Sequence, residues 1–290
     1  MTLPRLIRVS LLAWMEDRAP SRAAAVAFYT ILSLAPSLVI AVSVAGVAIG
    51  RAEAREVLAG QLTAWAGAEV AETVIASLRA AREGGHAARN TAVGLAGWFL
   101  ALTVLFGELQ NSLNVIWRVR RGQDWHWTGL VMPRVLSFAL VLVLGALIFL
   151  SVAAGVALSG AQRLVEGWLH VPADVFQAAD WLLSFAMMTL LFSVIYKYLP
   201  DAEICWRDTW LGAAITSVLF TIGRRAIATY LGVATPASVY GASGSLALLL
   251  LWVYYSSQVF FLGAEFTAAY ARHRGGGIRP RRKATFISES

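Results

Sequence analysis

The chain has 290 residues, of which 58% are hydrophobic and 14% charged, with 24 Lys and Arg against 17 Asp and Glu. Soluble domains carry about 25% charged residues, so a mean hydropathy of +0.65 with so few charges excludes an ordinary water-soluble fold. A single cysteine, Cys205, excludes an intramolecular disulfide and a thiolate metal cluster.

The apolar residues gather into six stretches, at about 24–50, 91–117, 135–160, 181–199, 210–233 and 240–270. Crossing hydrocarbon takes roughly 20 residues of helix but only about 10 of a barrel strand. Backbone groups in lipid must be satisfied within their own segment, which at these lengths means helices. The predicted fold is all-α: a polytopic transmembrane bundle of six spans over 24–271, preceded by a cytoplasmic interfacial segment, 1–23, and followed by a basic cytoplasmic tail, 272–290.

In residues 1–23, Leu3, Leu6, Ile7, Leu11 and Trp14 share one side of a helical wheel, with Arg5, Arg8 and Glu16 on another, which predicts an amphipathic anchoring helix. Its apolar run, Val9 to Met15, is too short for a signal peptide and meets Glu16, Asp17 and Arg18 without a small-residue cleavage site, so it is expected to be retained. In the first span Pro36 removes a backbone hydrogen bond and predicts a kink. Gly46 and Gly50 form a small-xxx-small pair suited to close helix approach.

The external loop 51–90 repeats apolar residues at Leu58, Leu62 and Trp65, then at Val70, Val74 and Leu78. Two short amphipathic helices parted near Gly67 follow, lying on the outer surface or capping the bundle.

Polar residues inside the spans are costly when they face lipid and therefore turn toward the bundle interior or a watery cavity. In the second span these are Glu108 and Asn111, with Gln110 and Asn114 nearby; in the fifth, Arg224 and Arg225; in the sixth, Tyr254, Gln258, Phe261 and Glu265 at i, i+4, i+7 and i+11. Two carboxylates and a guanidinium pair suit a cavity for a charged or amphipathic substrate. In the alternative, Glu108 pairs with Arg118 and Glu265 snorkels toward Arg272. The run from Tyr240 to Gly244 breaks the start of the sixth span, either as a partly unwound entry or as a turn.

Charge distribution sets orientation. Arg5, Arg8, Arg18 and Arg22, then Arg118, Arg120, Arg121 and Arg134, then Lys197 and Arg207, and the six cations from Arg272 to Lys283 all fall on one side, which the positive-inside rule makes cytoplasmic. The external loop offsets its five Arg with Glu53, Glu56, Glu69, Glu72 and Glu83.

His86, His126, His170 and His273 lie in four separate segments, so no metal site is expected, and no GxxxxGK, GxSxG or GxGxxG motif is present. The expectation is a protein without enzymatic activity or cofactor, whose partners are membrane lipids. The tail is expected to meet anionic headgroups and not nucleic acid.

Several runs carry a family resemblance: Ala25, Ala27, Phe28 and Tyr29 through Ser33, Leu34 and Pro36; Leu109, Gln110, Leu113, Asn114, Ile116 and Trp117; Tyr196, Tyr198, Leu199, Pro200 and Asp201; and Tyr240 and Gly241 with Leu251, Trp252, Tyr254, Gly263, Ala264 and Glu265. Over residues 10–272 the chain resembles the YihY/BrkB family of bacterial inner-membrane proteins. The resemblance implies six spans with cytoplasmic termini. Some members bear the name ribonuclease BN, regarded as a misassignment, others that of virulence or serum-resistance factors, and relatives are linked to lipid or lipopolysaccharide precursors. It brings no catalytic residues to carry over, and nothing in this chain supplies the ligands or acid–base pair that RNA cleavage needs.

The function these features favour is transport, or translocation of lipid or lipid precursors, through a polar cavity between spans two, five and six. The alternative is a non-transporting scaffold or envelope-assembly factor, docking an envelope partner through the external loop; an envelope protein or a second copy of the chain is the further partner expected.

Overall fold

The computed structural model describes residues 3–50, 52, 55–57, 59–60, 63, 71–72, 74–76, 89–121, 147, 150, 154–155, 173–233, 244–275, 278–281 and 284–286. Most of them are helical: α1 Leu3–Glu16, α2 Ala19–Ile49, α3 Arg89–Ile116, α4 Ala173–Tyr198, α5 Trp206–Val233 and α6 Gly244–His273. Four short strands accompany them, β1 Val119–Arg121, β2 Ala202–Glu203, β3 Arg279–Pro280 and β4 Ala284–Phe286.

Phe99–Ile116, Val175–Tyr198 and Ala247–His273, in α3, α4 and α6, are long and apolar enough to cross a membrane. Helices α2 and α5 cover the first and fifth predicted spans. The third, 135–160, falls almost wholly outside the described residues, as do the run 240–243 and most of loop 51–90.

Helix α1 divides its apolar residues differently from the wheel. Leu6 and Ser10 are buried at 5% and 2% exposure, whereas Ile7 and Leu11 stand open at 46% and 44%. The face turned to protein is therefore not the whole oily side, and the open apolar residues share the exposed surface with Arg5 and Arg8. Arg18 then takes a left-handed backbone (φ 52°), closing a turn onto the Met15 carbonyl at 3.1 Å and starting α2 with Pro20 in its first turn.

The described helix α2 continues through Pro36. Beside the proline, the Ser37 hydroxyl donates to the Ser33 carbonyl at 2.6 Å, one residue after the Leu32 carbonyl whose i+4 N–H the proline removes.

The chain forms two compact units. One comprises Trp14–Ser112 and Leu219–Phe261. Its core gathers Val74, Leu249 and Trp252, packed by Ile31, Leu34, Phe220, Ile227, Leu248 and Val253. Phe220 meets Trp252 edge to face at 5.5 Å. Val74 is 1% exposed, so at least this part of segment 51–90 packs into the core. The partner residues Leu58, Leu62, Trp65, Val70 and Leu78 lie outside the described residues.

The other unit comprises Met1–Ala13, Leu113–Val218 and Leu262–Ser290. Helices α5 and α6 meet in it through a reciprocal pair of Gly-x-x-x-Thr motifs. Thr216 sits on Gly263 and Thr267 sits on Gly212, so a Cβ on Gly263 would fall 1.8 Å from Thr216 Oγ1 and one on Gly212 1.7 Å from Thr267 Oγ1. Each threonine hydroxyl donates to the glycine carbonyl of its own motif, at 2.7 Å in both cases. The hydroxyls are thus satisfied within their helices, and the glycines let the backbones close in.

Helix α4 joins the same packing through Tyr196, whose hydroxyl lies 3.1 Å from Thr216 Oγ1, and through Thr189, 3.2 Å from Ser217 Oγ. Tyr196, Ser193, Thr216 and Ser217 are wholly buried.

Filling this contact should be costly. Gly263→Ala and Gly212→Ala are each expected to lower stability by about 1–3 kcal/mol, the usual range for overpacking. Unfolding titrations in mixed detergent micelles would read it; a transition unmoved by both substitutions would contradict the clasp.

Candidate functional site

The most connected polar site lies where α3 and α6 end and α4 turns toward α5. Asn114, near the end of α3, donates from Nδ2 to Asp201 Oδ2 at 2.8 Å and accepts from the Asp201 backbone N–H at 2.8 Å. The two bonds close a ring between residues far apart in sequence. Asn114 is 8% exposed, and around it Leu113, Ile116, Trp117, Tyr196 and Leu199 are sealed at 1% or less.

Two arginines complete this collar. Arg272 reaches from the last turn of α6 to the Ile116 carbonyl at 3.0 Å, and Arg281 spans the Tyr198 and Lys197 carbonyls at 3.4 and 3.3 Å. These acceptors are the carbonyls that the last turns of α3 and α4 leave without an intrahelical donor, and the negative ends of the helix dipoles favour a cation there. The Arg281 N–H also donates to the Asp201 carbonyl at 3.0 Å. Lys197 Nζ binds the Ile204 carbonyl and lies over the Trp206 ring.

After α3, Arg118 adopts φ 56° and redirects the chain into β1. Strand β1 pairs antiparallel with β4, and β2 with β3. The collar is thus a lattice of matched donors and acceptors, suited to holding helix ends in register.

The predicted site residues divide between the two units. Glu108, Asn111, Arg224, Arg225, Tyr254 and Gln258 belong to the unit of Trp14–Ser112 and Leu219–Phe261; Asn114 and Glu265 belong to the other. Glu108 is half-buried and accepts a 3.4 Å hydrogen bond from Ser112. Asn111 and Arg225 are exposed, while Arg224 and Tyr254 are half-buried. Among the described residues no ion pair joins Glu108 to Arg224 or Arg225. Gln258 turns its Oε1 away from solvent without a hydrogen-bond partner among the described residues.

Glu265 is 0% exposed, so it does not snorkel toward the interface. A carboxyl removed so completely from water requires a donor or a proton. Pro36 lies in α2, and its side chain is outside the described residues.

Sequence reading missed Asp201, Arg272 and Arg281 as members of one site. Asp201 carried a signal in the run from Tyr196 to Asp201; the arginines looked like part of a charge run. The hydroxyls of α4 and α5 were also missed, although Thr189, Ser193 and Tyr196 recur at i, i+4 and i+7.

Comparison with known proteins follows the same outline. The family profile described as "Virulence factor BrkB" matches residues 11–288. A "UPF0761 membrane protein" of Halorhodospira halophila is 30% identical over 208 residues, covering 70% of this chain and 44% of that protein. One of Ralstonia nicotianae is 28% identical over 277 residues, 94% of this chain and 60% of its own, and one of Chromobacterium violaceum is 32% identical over 197, 68% and 45%. The chain thus spans about half the length of the curated relatives it matches. No solved structure matches it.

The Asn114–Asp201 ring makes a directional prediction. Asn114→Ala should destabilise by about 1–3 kcal/mol, because the half-buried Asp201 loses the amide that bonds its N–H and Oδ2. Asn114→Asp should cost more at neutral pH by opposing two carboxylates, and should recover as acid protonates one of them. Thermal unfolding against pH would check both; equal losses at every pH would refute the pairing.

Proposed function

This chain belongs to the virulence factor BrkB family, and on that premise we propose that it is a bacterial inner-membrane protein of six spans, with both termini in the cytoplasm, that transports or translocates a lipid or lipid precursor. In this reading it is not an enzyme, and membrane lipids are its partners.

The observation that carries the reading is Gln258: an amide oxygen shut away from solvent and lacking a donor among the described residues, on a helix apolar enough to cross a membrane. An orphaned acceptor is costly in a low-dielectric interior unless a guest donates to it. Half-buried Glu108 and Arg224 belong to the same unit and supply charges of both signs, which suits a guest with a polar head. A headgroup passing such groups while its tail stays in hydrocarbon is the chemistry of lipid translocation.

The test is lipid movement in vesicles containing the purified full chain, read as loss of fluorescence when dithionite bleaches outward-facing labelled phosphatidylglycerol. Wild-type protein should bleach beyond the outer-leaflet half, and Gln258→Leu and Glu108→Gln should each slow the exchange by about tenfold, as for one lost hydrogen bond to a buried or charged group. Wild-type vesicles no leakier to label than empty ones would sink the proposal. A scaffold would instead tolerate both substitutions and fail on changes within residues 55–82.

A further inference from the structure

We propose that residues 272–275, 278–281 and 284–286 act as an internal strap that ties the ends of α3 and α4 to α6 and unpairs reversibly, so that those helix ends separate only when it is off. Its gating role rests on the translocation reading; its attachment does not.

The strap grips two different connections. Strand β4 lies against β1, which follows α3, with Arg120 opposite Thr285; strand β3 lies against β2, which follows α4, with Glu203 opposite Arg279. Between them Arg281 caps α4, and at the root of the strap Arg272 caps α3. Arg274 stands 4.0 Å from Asp208, which is buried at 3%, and lies over the Tyr270 ring.

Three of the cations that a polybasic lipid-binding tail would present, Arg272, Arg274 and Arg281, are thus engaged within the protein. The segment behaves as a third wall of the collar, with its charge directed at helix ends and at Asp208.

The grip is also built to be weak. The strands are two and three residues long, and ribbons of two strands are marginal in water. Thr285 and Phe286 are exposed, and the guanidinium acceptors are neutral carbonyls, weaker partners than carboxylates or phosphates. By contrast the helix contacts beneath, at Thr216, Gly263 and Tyr196, are sealed. A lightly held strap over firmly packed helices is the element that opens first.

Hydrogen exchange read by mass spectrometry on the full chain in lipid nanodiscs tests this, in a Cys205→Ser background carrying Arg120→Cys and Thr285→Cys. With these thiols reduced, amides of 284–286 and of the helix ends at 113–118 and 195–199 should exchange together, well ahead of 189–193. Oxidation to the cross-strand disulfide should slow both sets, and Arg281→Gln without the thiols should speed the helix ends by about tenfold. Helix ends indifferent to the disulfide, or strap amides as protected as 189–193, would overturn the proposal.

With albumin back-extraction of a short-chain labelled phosphatidylglycerol in place of dithionite, which would itself reduce the bridge, the disulfide should halt lipid movement and added thiol should restore it. Movement that continues through the disulfide overturns the gating role. A wild-type protein that moves no lipid defeats the translocation reading, while exchange still judges the strap.

Discussion

Hydrocarbon offers no hydrogen-bond partner, and the hydroxyls of these helices are arranged around that constraint. Ser37, Thr103, Thr189, Thr216, Ser217, Ser257 and Thr267 all lie within bonding distance of the carbonyl four residues earlier in their own helix. A hydroxyl so satisfied behaves toward a neighbouring helix almost as a small apolar group, while keeping a lone pair to offer. That is how Thr216 both fills the notch above Gly263 and stands 3.1 Å from the Tyr196 hydroxyl. Close packing and polar linkage, which compete in water, are compatible here because the local bond is made first.

The same accounting changes at helix ends, where the carbonyls have no donor in their own segment. Glycine caps are not used after α3 or α4. Side-chain guanidiniums come from elsewhere in the chain, Arg272 to Ile116 and Arg281 to Lys197 and Tyr198. An arginine offers several donors in a planar fork and keeps its charge, which suits the negative end of a helix. The consequence reaches beyond capping: an end finished by a distant residue cannot loosen without moving that residue, so the fates of α3, α4 and the segment after α6 are linked.

Much of the site was legible by type but not by partner. Asn114 stood out as an amide at the end of an apolar span, and Asp201 as the acid closing a Tyr-rich run, yet no spacing rule connects residues 87 positions apart. Glu265 was recognised as a costly carboxyl, and its burial at 0% agrees with that cost; whether it was sealed or snorkelled was decided by the neighbours of α6. For α1 the wheel showed an oily side correctly but could not divide it, since Leu6 and Ile7 are adjacent in sequence and differ only in what covers them.

The sequence by itself determined that this is a helical membrane protein of the BrkB family, because segment length, apolar composition and local motifs are properties of contiguous residues. It also marked which side chains would be costly. The tertiary structure alone decided that Thr216 meets Gly263, that Arg281 finishes α4, and that residues 119–121 pair with 284–286. Such contacts join segments whose separation leaves no periodic trace, and three-residue strands carry too little pattern to announce themselves. Their formation depends on helices first bringing the ends together, and only the assembled chain can specify that.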